Sequence, residues 1–204
     1  MEPLQSFFSS LLRCQAESFN FTLYGQHAAG KLFGKNDVGF AVTLSLRKID
    51  ARNLRAACRL DFRPGQEEFV RSPARSIASA YVREYGDRYE YLRLGIYDAE
   101  IMIGYAGLLC DPESDNDYWV GEIMIDAQHQ SRGYGRAAMR EIIAHLRRNY
   151  PKCGTIQLTC HRDNRNAEAL YLSLGFIKTG QLNPESGHPL YALTGAALAD
   201  IAKV

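Results

Sequence analysis

The strongest constraint on the fold is a basic glycine loop, Gln130-Ser131-Arg132-Gly133-Tyr134-Gly135-Arg136, that opens the most regular helical stretch of the chain. Beyond it Met139, Ile142, Ile143, Leu146 and Tyr150 recur at three- and four-residue spacing, which predicts a helix over 133–149 stopped by Pro151. Before it, residues 118–126 read as a strand. Glycines at such a junction let the backbone turn tightly and approach a ligand with no Cβ in the way. The first N–H groups of a helix lack intrahelical acceptors, and the helix dipole adds partial positive charge there. With Arg132 and Arg136 alongside, the junction is suited to a phosphate or pyrophosphate. A glycine-rich helix start without a ligand is the plain alternative. A dinucleotide fold is a second, since Gly133-x-Gly135-x-x-Ala138 loosely fits G-x-G-x-x-A. Against it, the glycines come seven residues beyond Asp126, and no acidic residue follows at the spacing a ribose partner needs. A coenzyme A site is the third reading.

The rest of the chain places this loop in a mixed α/β pattern. Val42, Leu44 and Leu46 alternate with polar residues, predicting a strand over 42–46. Asp50 can cap a helix carrying Leu54, Ala57, Cys58 and Phe62, broken by Pro64-Gly65. A second helix is expected over 74–85, with Ile77, Tyr81 and Tyr85 on one face. Strands over 91–97 and 101–110 flank a hairpin at Asp98-Ala99-Glu100, and the acidic loop 111–117 leads into the strand 118–126. After the 133–149 helix come a strand over 156–160, a helix over 164–174 ending at Gly175, and strands over 176–179 and 190–193. The order β-α-α-β-β-β-α-β-α-β-β predicts a mostly antiparallel sheet flanked by helices. It occupies residues 41–204, preceded by an extension over 1–40 that shows no sustained period.

Composition narrows the function classes. Lys and Arg total 24 against 23 Asp and Glu, a formal charge of +1, which argues against a nucleic-acid or membrane-surface binder. No apolar run is long enough to span a bilayer. The five cysteines form no C-x-x-C pair and the five histidines no H-E-x-x-H, so neither a disulfide framework nor a metal site is expected. A reducing cytoplasm fits this cysteine usage, and the first residues make a poor signal peptide. Gly25 to Leu32 nearly spells a phosphate-binding P-loop, but Leu32 stands where Ser or Thr must reach magnesium. There is no G-x-S-x-G, so a serine hydrolase has no support. The sequence leaves a homodimer open.

Two motifs decide among the readings of the loop. Gln130-x-x-Gly133-x-Gly135 resembles the pyrophosphate-binding signature of GNAT-family N-acetyltransferases. Asn164-x-x-Ala167-x-x-x-Tyr171-x-x-x-Gly175-Phe176, one strand later, is similar to that family's second helix motif. Gln66-x-x-Phe69-Val70 and Tyr118-Trp119 point within the family toward bacterial spermine/spermidine acetyltransferases. The resemblance implies acetyl-CoA as co-substrate. Its pantetheine would bond main-chain groups of Ile123, Met124 and Ile125, and Ser131, Arg132, Gly133, Tyr134, Gly135 and Arg136 would wrap its pyrophosphate. The resemblance also implies Tyr171 as the general acid beside the sulfur, where a phenol can give a thiolate a hydrogen bond or proton. Asn164 would contact the cofactor or cap its helix. Glu122 is the only carboxylate within 118–125 and is the leading base or amine-binding candidate, against the alternative of a solvated strand residue. The four carboxylates of loop 111–117, with Glu67 and Glu68, could attract a cationic acceptor such as a polyamine, or simply be solvated turns. The expected reaction is direct acetyl transfer to a small primary amine. Acetylation of a protein N-terminus or lysine, and a non-catalytic acyl-CoA sensor, are the rivals.

Overall fold

Alternating apolar residues build a seven-stranded sheet in the computed structural model, which describes residues 43–195, 197 and 198. The extension expected over 1–40 lies outside the described residues. The strands are β1 (Leu44–Lys48), β2 (Glu90–Asp98), β3 (Ile101–Cys110), β4 (Tyr118–Ile125), β5 (Thr155–Thr159), β6 (Ile177–Leu182) and β7 (Pro189–Thr194). They lie in the order β1-β2-β3-β4-β5-β7-β6, and every neighbouring pair is antiparallel except β4 with β5. Four helices, α1 (Leu54–Ala57), α2 (Pro73–Tyr81), α3 (Tyr134–Asn149) and α4 (Arg165–Ser173), complete the order read from the sequence.

The two faces of the sheet are covered differently. The stripe read on α3 is the centre of the main core: Met139, Ile142, Ile143 and Leu146 are wholly buried with Ile103, Leu108, Tyr118 and Ile156. Tyr171 and Leu174, at the end of α4, close the same core. On the opposite face a smaller cluster gathers Ala57 of α1 and Ile77 of α2 around Tyr105 and Met124.

Two helices differ from expectation. The helix expected to run through Phe62 ends at Ala57, because the N–H groups of Arg59 and Leu60 tighten onto carbonyls three residues back, those of Ala56 and Ala57. The chain is then drawn to the end of β4, where Asp61 N–H donates to Asp126 Oδ2 at 3.0 Å and Ala127 N–H to the Asp61 carbonyl at 3.0 Å. Helix α2 is capped by Ser72, whose hydroxyl accepts from Arg75 N–H, and stops at Tyr81 rather than 85. Its buried face is Pro73, Ser76 and Ser79, while Tyr81 is 71% exposed. The serines can face inward because each has a polar partner there: Ser76 donates to Glu122 and Ser79 to Glu84.

Strand β4 has two features that shape the cavity described below. Opposite β3, Gly107 pairs with Glu122 and Leu108 with Val120, so Gly121 is an extra residue, a β-bulge. The bulge resets the alternation. Tyr118 and Val120 point into the main core, whereas Glu122 and Met124 turn to the face that carries α1 and α2. On its other side β4 pairs with β5 only at Tyr118↔Ile156 and Trp119↔Gln157, after which the strands part.

The Tyr118 hydroxyl is fully buried without a hydrogen-bond partner among the described residues, and its ring lies 5.5 Å from that of Tyr150. Tyr118→Phe keeps the ring packing and removes an unsatisfied polar atom, so thermal unfolding should show unchanged stability or a gain of about 1 kcal/mol. Ile142→Ala, which opens a void at the centre of the same core, should cost about 2–5 kcal/mol.

Candidate active site

The glycine loop is anchored at both ends. Gln130 Nε2 donates to the carbonyl of Ile125 at 2.9 Å and to Gln66 Oε1 at 2.8 Å, and Gln66 Nε2 returns a bond to Gln130 Oε1 at 3.2 Å. Asp126 accepts from the N–H of Gln128 at 3.0 Å as well as from Asp61. Between these anchors and α3, Ser131 and Gly133 take left-handed φ values of 66° and 83°, the second being the residue that precedes the helix. The Gly133 carbonyl accepts from Arg136 and Ala137 N–H at 3.1 and 3.2 Å. The N–H groups of Gly133, Tyr134 and Gly135 make no hydrogen bond among the described residues. Nothing lies within 4 Å of where a Cβ on Gly133 would sit. Free amides on an open surface at the start of a 16-residue helix suit the diphosphate of a coenzyme.

The side chains of this loop mostly serve the protein. Tyr134 OH donates to Asp98 Oδ2, Arg136 donates to Ser173 Oγ of α4 at 2.8 Å, and Ser131 Oγ accepts from Arg63 at 3.3 Å. Arg132 is left as the loop cation with no hydrogen-bonded partner among the described residues. Ile123, Met124 and Ile125 lie on β4 beyond Trp119, where no strand is paired on the β5 side.

A cavity of about 500 Å³ opens on the α1–α2 face of the parting strands, between residues 67–75 and the turn joining β6 to β7. Glu122 lines it and is only 8% exposed. Ser76 Oγ donates to its Oε2 at 3.0 Å. Gly107, opposite on β3, makes room: a Cβ there would fall 2.1 Å from Glu122 Oε2. Burial pushes the Glu122 pKa up, and the nearby Arg93 charge, the Ser76 hydrogen bond and Arg71 oppose that rise. Arg93 is itself buried and donates to the carbonyls of Ser76 at 3.0 Å and of Leu92 and Leu108 at 3.1 Å. Arg71 is neutralised by Glu84 at 2.8 Å.

At the mouth, Glu67 and Glu68 belong to one wall and Glu185 to the other, and none forms an ion pair among the described residues. The acidic loop 111–117 contributes no lining residue. Its Asp117 is taken up by Trp119 Nε1 at 2.6 Å, Arg88 at 2.6 Å and Tyr89 OH at 2.9 Å, and its Glu113 pairs with Lys152 at 3.0 Å. The carboxylates that reach the cavity are therefore those of Glu67, Glu68 and Glu185, not those of the loop. Glu185 was not legible beforehand, because only the return of the β6–β7 turn brings it opposite Glu67.

Tyr171 lies on the other face of the sheet. It is 8% exposed, its ring is 5.9 Å from that of Phe176, and its hydroxyl makes no hydrogen bond among the described residues. Burial, with Cys160 alongside, pushes its pKa above the usual phenol value. Asn164 caps α4, its Oδ1 accepting from Ala167 N–H at 3.2 Å. Glu168 pins the same helix to β6 and β7 by accepting from Tyr191 OH at 2.6 Å and Lys178 at 3.1 Å, and it also meets Arg165 at 3.2 Å. The Tyr191 bond foremost, then Lys178, hold its pKa down to about 2. The parted strands β4 and β5 thus lie between Glu122 on one face and Tyr171 on the other.

Comparison with known proteins agrees with this geometry. The family model for the acetyltransferase (GNAT) family matches residues 54–176, more than half of the chain. The spermine/spermidine N(1)-acetyltransferase of Bacillus subtilis is 32% identical over 98 residues, 46% of this chain and 64% of the relative. The N-alpha-acetyltransferase RimI of Mycobacterium tuberculosis is 30% identical over 103 residues, 50% of this chain and 61% of the relative. The chain therefore spans just under two thirds of the length of these curated relatives. The spermidine N-acetyltransferase of Vibrio cholerae, solved with CoA and spermine, shares the fold at a TM-score of 0.58 and 19% identity, covering 76% of this chain and 98% of that one. RimL, a ribosomal L7/L12 alpha-N-protein acetyltransferase solved with coenzyme A, does so at 0.61 and 16%, covering 78% and 98%. The glycine loop, the parted strands and the segment from Asn164 to Phe176 that contains α4 all fall inside the matched span, and the chain belongs to the GNAT family of acetyltransferases.

Proposed function

We propose that this protein transfers an acetyl group from acetyl-CoA directly to a primary amine of a polyamine or small diamine. The observation that carries the reading is the position of Glu122: a buried carboxylate at the inner end of a cavity whose mouth bears Glu67, Glu68 and Glu185, none of them in an ion pair among the described residues. A chain with several ammonium groups can set one amine at Glu122 and leave another among the outer carboxylates. The names of the Bacillus and Vibrio relatives support the same acceptor class.

The residues then divide the chemistry. The free amides of 133–135 and the Arg132 side chain would hold the diphosphate, and the unpaired side of Ile123, Met124 and Ile125 would hold the amide-bearing arm. Glu122 takes a proton from the bound ammonium, so that a free amine can attack. The C–N bond forms as the C–S bond breaks. Tyr171 donates its hydrogen bond and proton to the departing sulfur, and the second proton lost from nitrogen restores the phenol through solvent. Burial keeps Tyr171 a neutral donor over the working pH range. Asn164 serves by capping the helix that carries Tyr171.

Thiol release from acetyl-CoA should be fastest with spermidine or a short diamine in a panel that includes peptides. Release with peptides alone would overturn the acceptor class, and tight CoA binding with no release would overturn the enzyme reading. Tyr171→Phe should lower kcat by about 10²-fold or more with little change in acetyl-CoA affinity, as expected for loss of one general acid. Undiminished turnover would remove Tyr171 from the chemistry.

The pH dependence follows from the burial of Glu122. Protonated Glu122 cannot accept a proton, so kcat/KM should fall on the acid side with an apparent pKa above the ordinary glutamate value. Glu122→Gln should lower kcat by about 10²–10⁴-fold and abolish that limb.

A further inference from the structure

Among the described residues Glu122 has one direct side-chain hydrogen-bond partner, Ser76, and Ser76 is fully buried on the inner face of α2. Its hydroxyl donates to Glu122 Oε2 at 3.0 Å and accepts from Tyr105 OH at 3.1 Å, while its carbonyl accepts from Arg93 Nε at 3.0 Å. The direction of this chain is set by chemistry. Tyr105 is fully buried, and burial drives its pKa up, so it stays a neutral phenol and donates. The single hydroxyl proton of Ser76 is then committed to the carboxylate. Gly107 keeps the meeting point clear, since a Cβ there would lie 2.9 Å from Ser76 Oγ and 2.1 Å from Glu122 Oε2. Glu122 Oε1 makes no hydrogen bond among the described residues.

We propose that Ser76 is the positioning residue of the base: by holding Oε2 as a fixed acceptor it leaves Oε1 to take the ammonium proton and keeps the buried carboxyl ionised. This inference rests on the reading of Glu122 as the base. The charged and titratable groups facing Glu122 are Arg93 from β2, Tyr105 from β3, and Arg71, Glu84 and Tyr85 from the segments around α2, with Cys58 beyond α1 beside Tyr105; Arg75 of α2, Tyr89, His188 and the mouth glutamates line the same cavity. Glu84 is shared between Arg71 and Ser79, and Arg93 forms no ion pair among the described residues. Ser76 therefore joins the base to its uncompensated cation through one residue, hydroxyl to Glu122 and carbonyl to Arg93. Among the described residues no other hydrogen bond to the Glu122 carboxylate would hold the ionised form if that hydroxyl were lost.

Carbon-13 NMR titration of the Glu122 carboxyl in the full chain tests this without relying on turnover. Ser76→Ala should move its apparent pKa upward by about one pH unit, the effect of losing one hydrogen bond to a charged group. Tyr105→Phe, which leaves Ser76 in place with a weaker hydroxyl donor, should move it upward by less. With acetyl-CoA and spermidine, the acid limb of kcat/KM should rise with the Ser76→Ala titration while KM for acetyl-CoA holds. An unmoved titration in folded Ser76→Ala, or a rate lowered equally at every pH, overturns the proposal. If Ser76→Ala does not fold, an unmoved or lowered pKa in Tyr105→Phe does the same. Glu122→Gln run in parallel separates the two failures. If it keeps both rate and limb, the base assignment falls and the positioning role with it; if it loses both while Ser76→Ala changes neither, only the positioning role falls.

Discussion

Strands β4 and β5 share two residue pairs and then separate, which leaves one side of β4 unpaired inside the protein. Unpaired backbone N–H and C=O groups are costly to shield from water without partners, and most proteins avoid leaving them so. The bulge at Gly121 stands at the point of separation, and a bulge bends its strand and increases its twist. Some of the exposed edge is met from within, since Gln130 closes the Ile125 carbonyl. The remainder offers the backbone pairing that an amide-bearing ligand can use. On the proposed reaction, the same gap both grips the donor and opens a passage between the two faces of the sheet.

The bulge has a second consequence, electrostatic rather than geometric. By turning Glu122 away from Val120 and the main core, it sets a carboxylate against the small cluster under α2, where water is largely excluded. An unpaired charge there would be strongly unfavourable. The arrangement is tolerable because the charge of the buried Arg93 acts on the carboxylate without pairing to it and Ser76 supplies the hydrogen bond. The two contributions only partly offset desolvation, so the carboxyl stays above its ordinary pKa. A stronger base is the result.

Much of this was legible in the sequence, and the failures are as informative as the successes. The glycine loop, the α3 stripe and the Asn164 cap could be read because each depends on local rules: backbone freedom at glycine, the helical period, and a side chain bonding three residues ahead. The fates of Tyr81 and Glu122 depend on partners distant in sequence. Ser76 and Ser79 look like the polar side of α2 until Glu122 and Glu84 are placed opposite them, which leaves Tyr81 outside. Strict alternation from Tyr118 and Val120 would send Glu122 into the apolar core. Gly121 was the signal that alternation would break there. The acidic loop could be read either way because a carboxylate in a sequence does not declare its partners, and Asp117 has three.

The opposite placement of Glu122 and Tyr171 suits the reaction assigned to them. An acid and a base sharing one pocket would hydrogen-bond to each other, and each would spend on its neighbour the interaction it owes the reactants. Here the sheet keeps them apart: Glu122 is bound by Ser76 from the α2 side, and the Tyr171 hydroxyl is left unbonded among the described residues on the α4 side. A nitrogen can then arrive from the face lined by carboxylates while a sulfur departs toward the face holding the phenol. The ties that fix this separation lie outside the cavity, in Glu168 clamping α4 to β7 and in Gly107 giving the carboxylate room on β3. On the proposed reaction, loosening either would leave Glu122 and Tyr171 present but out of line with the bond being exchanged, and geometry of that kind governs much of the rate in a direct transfer.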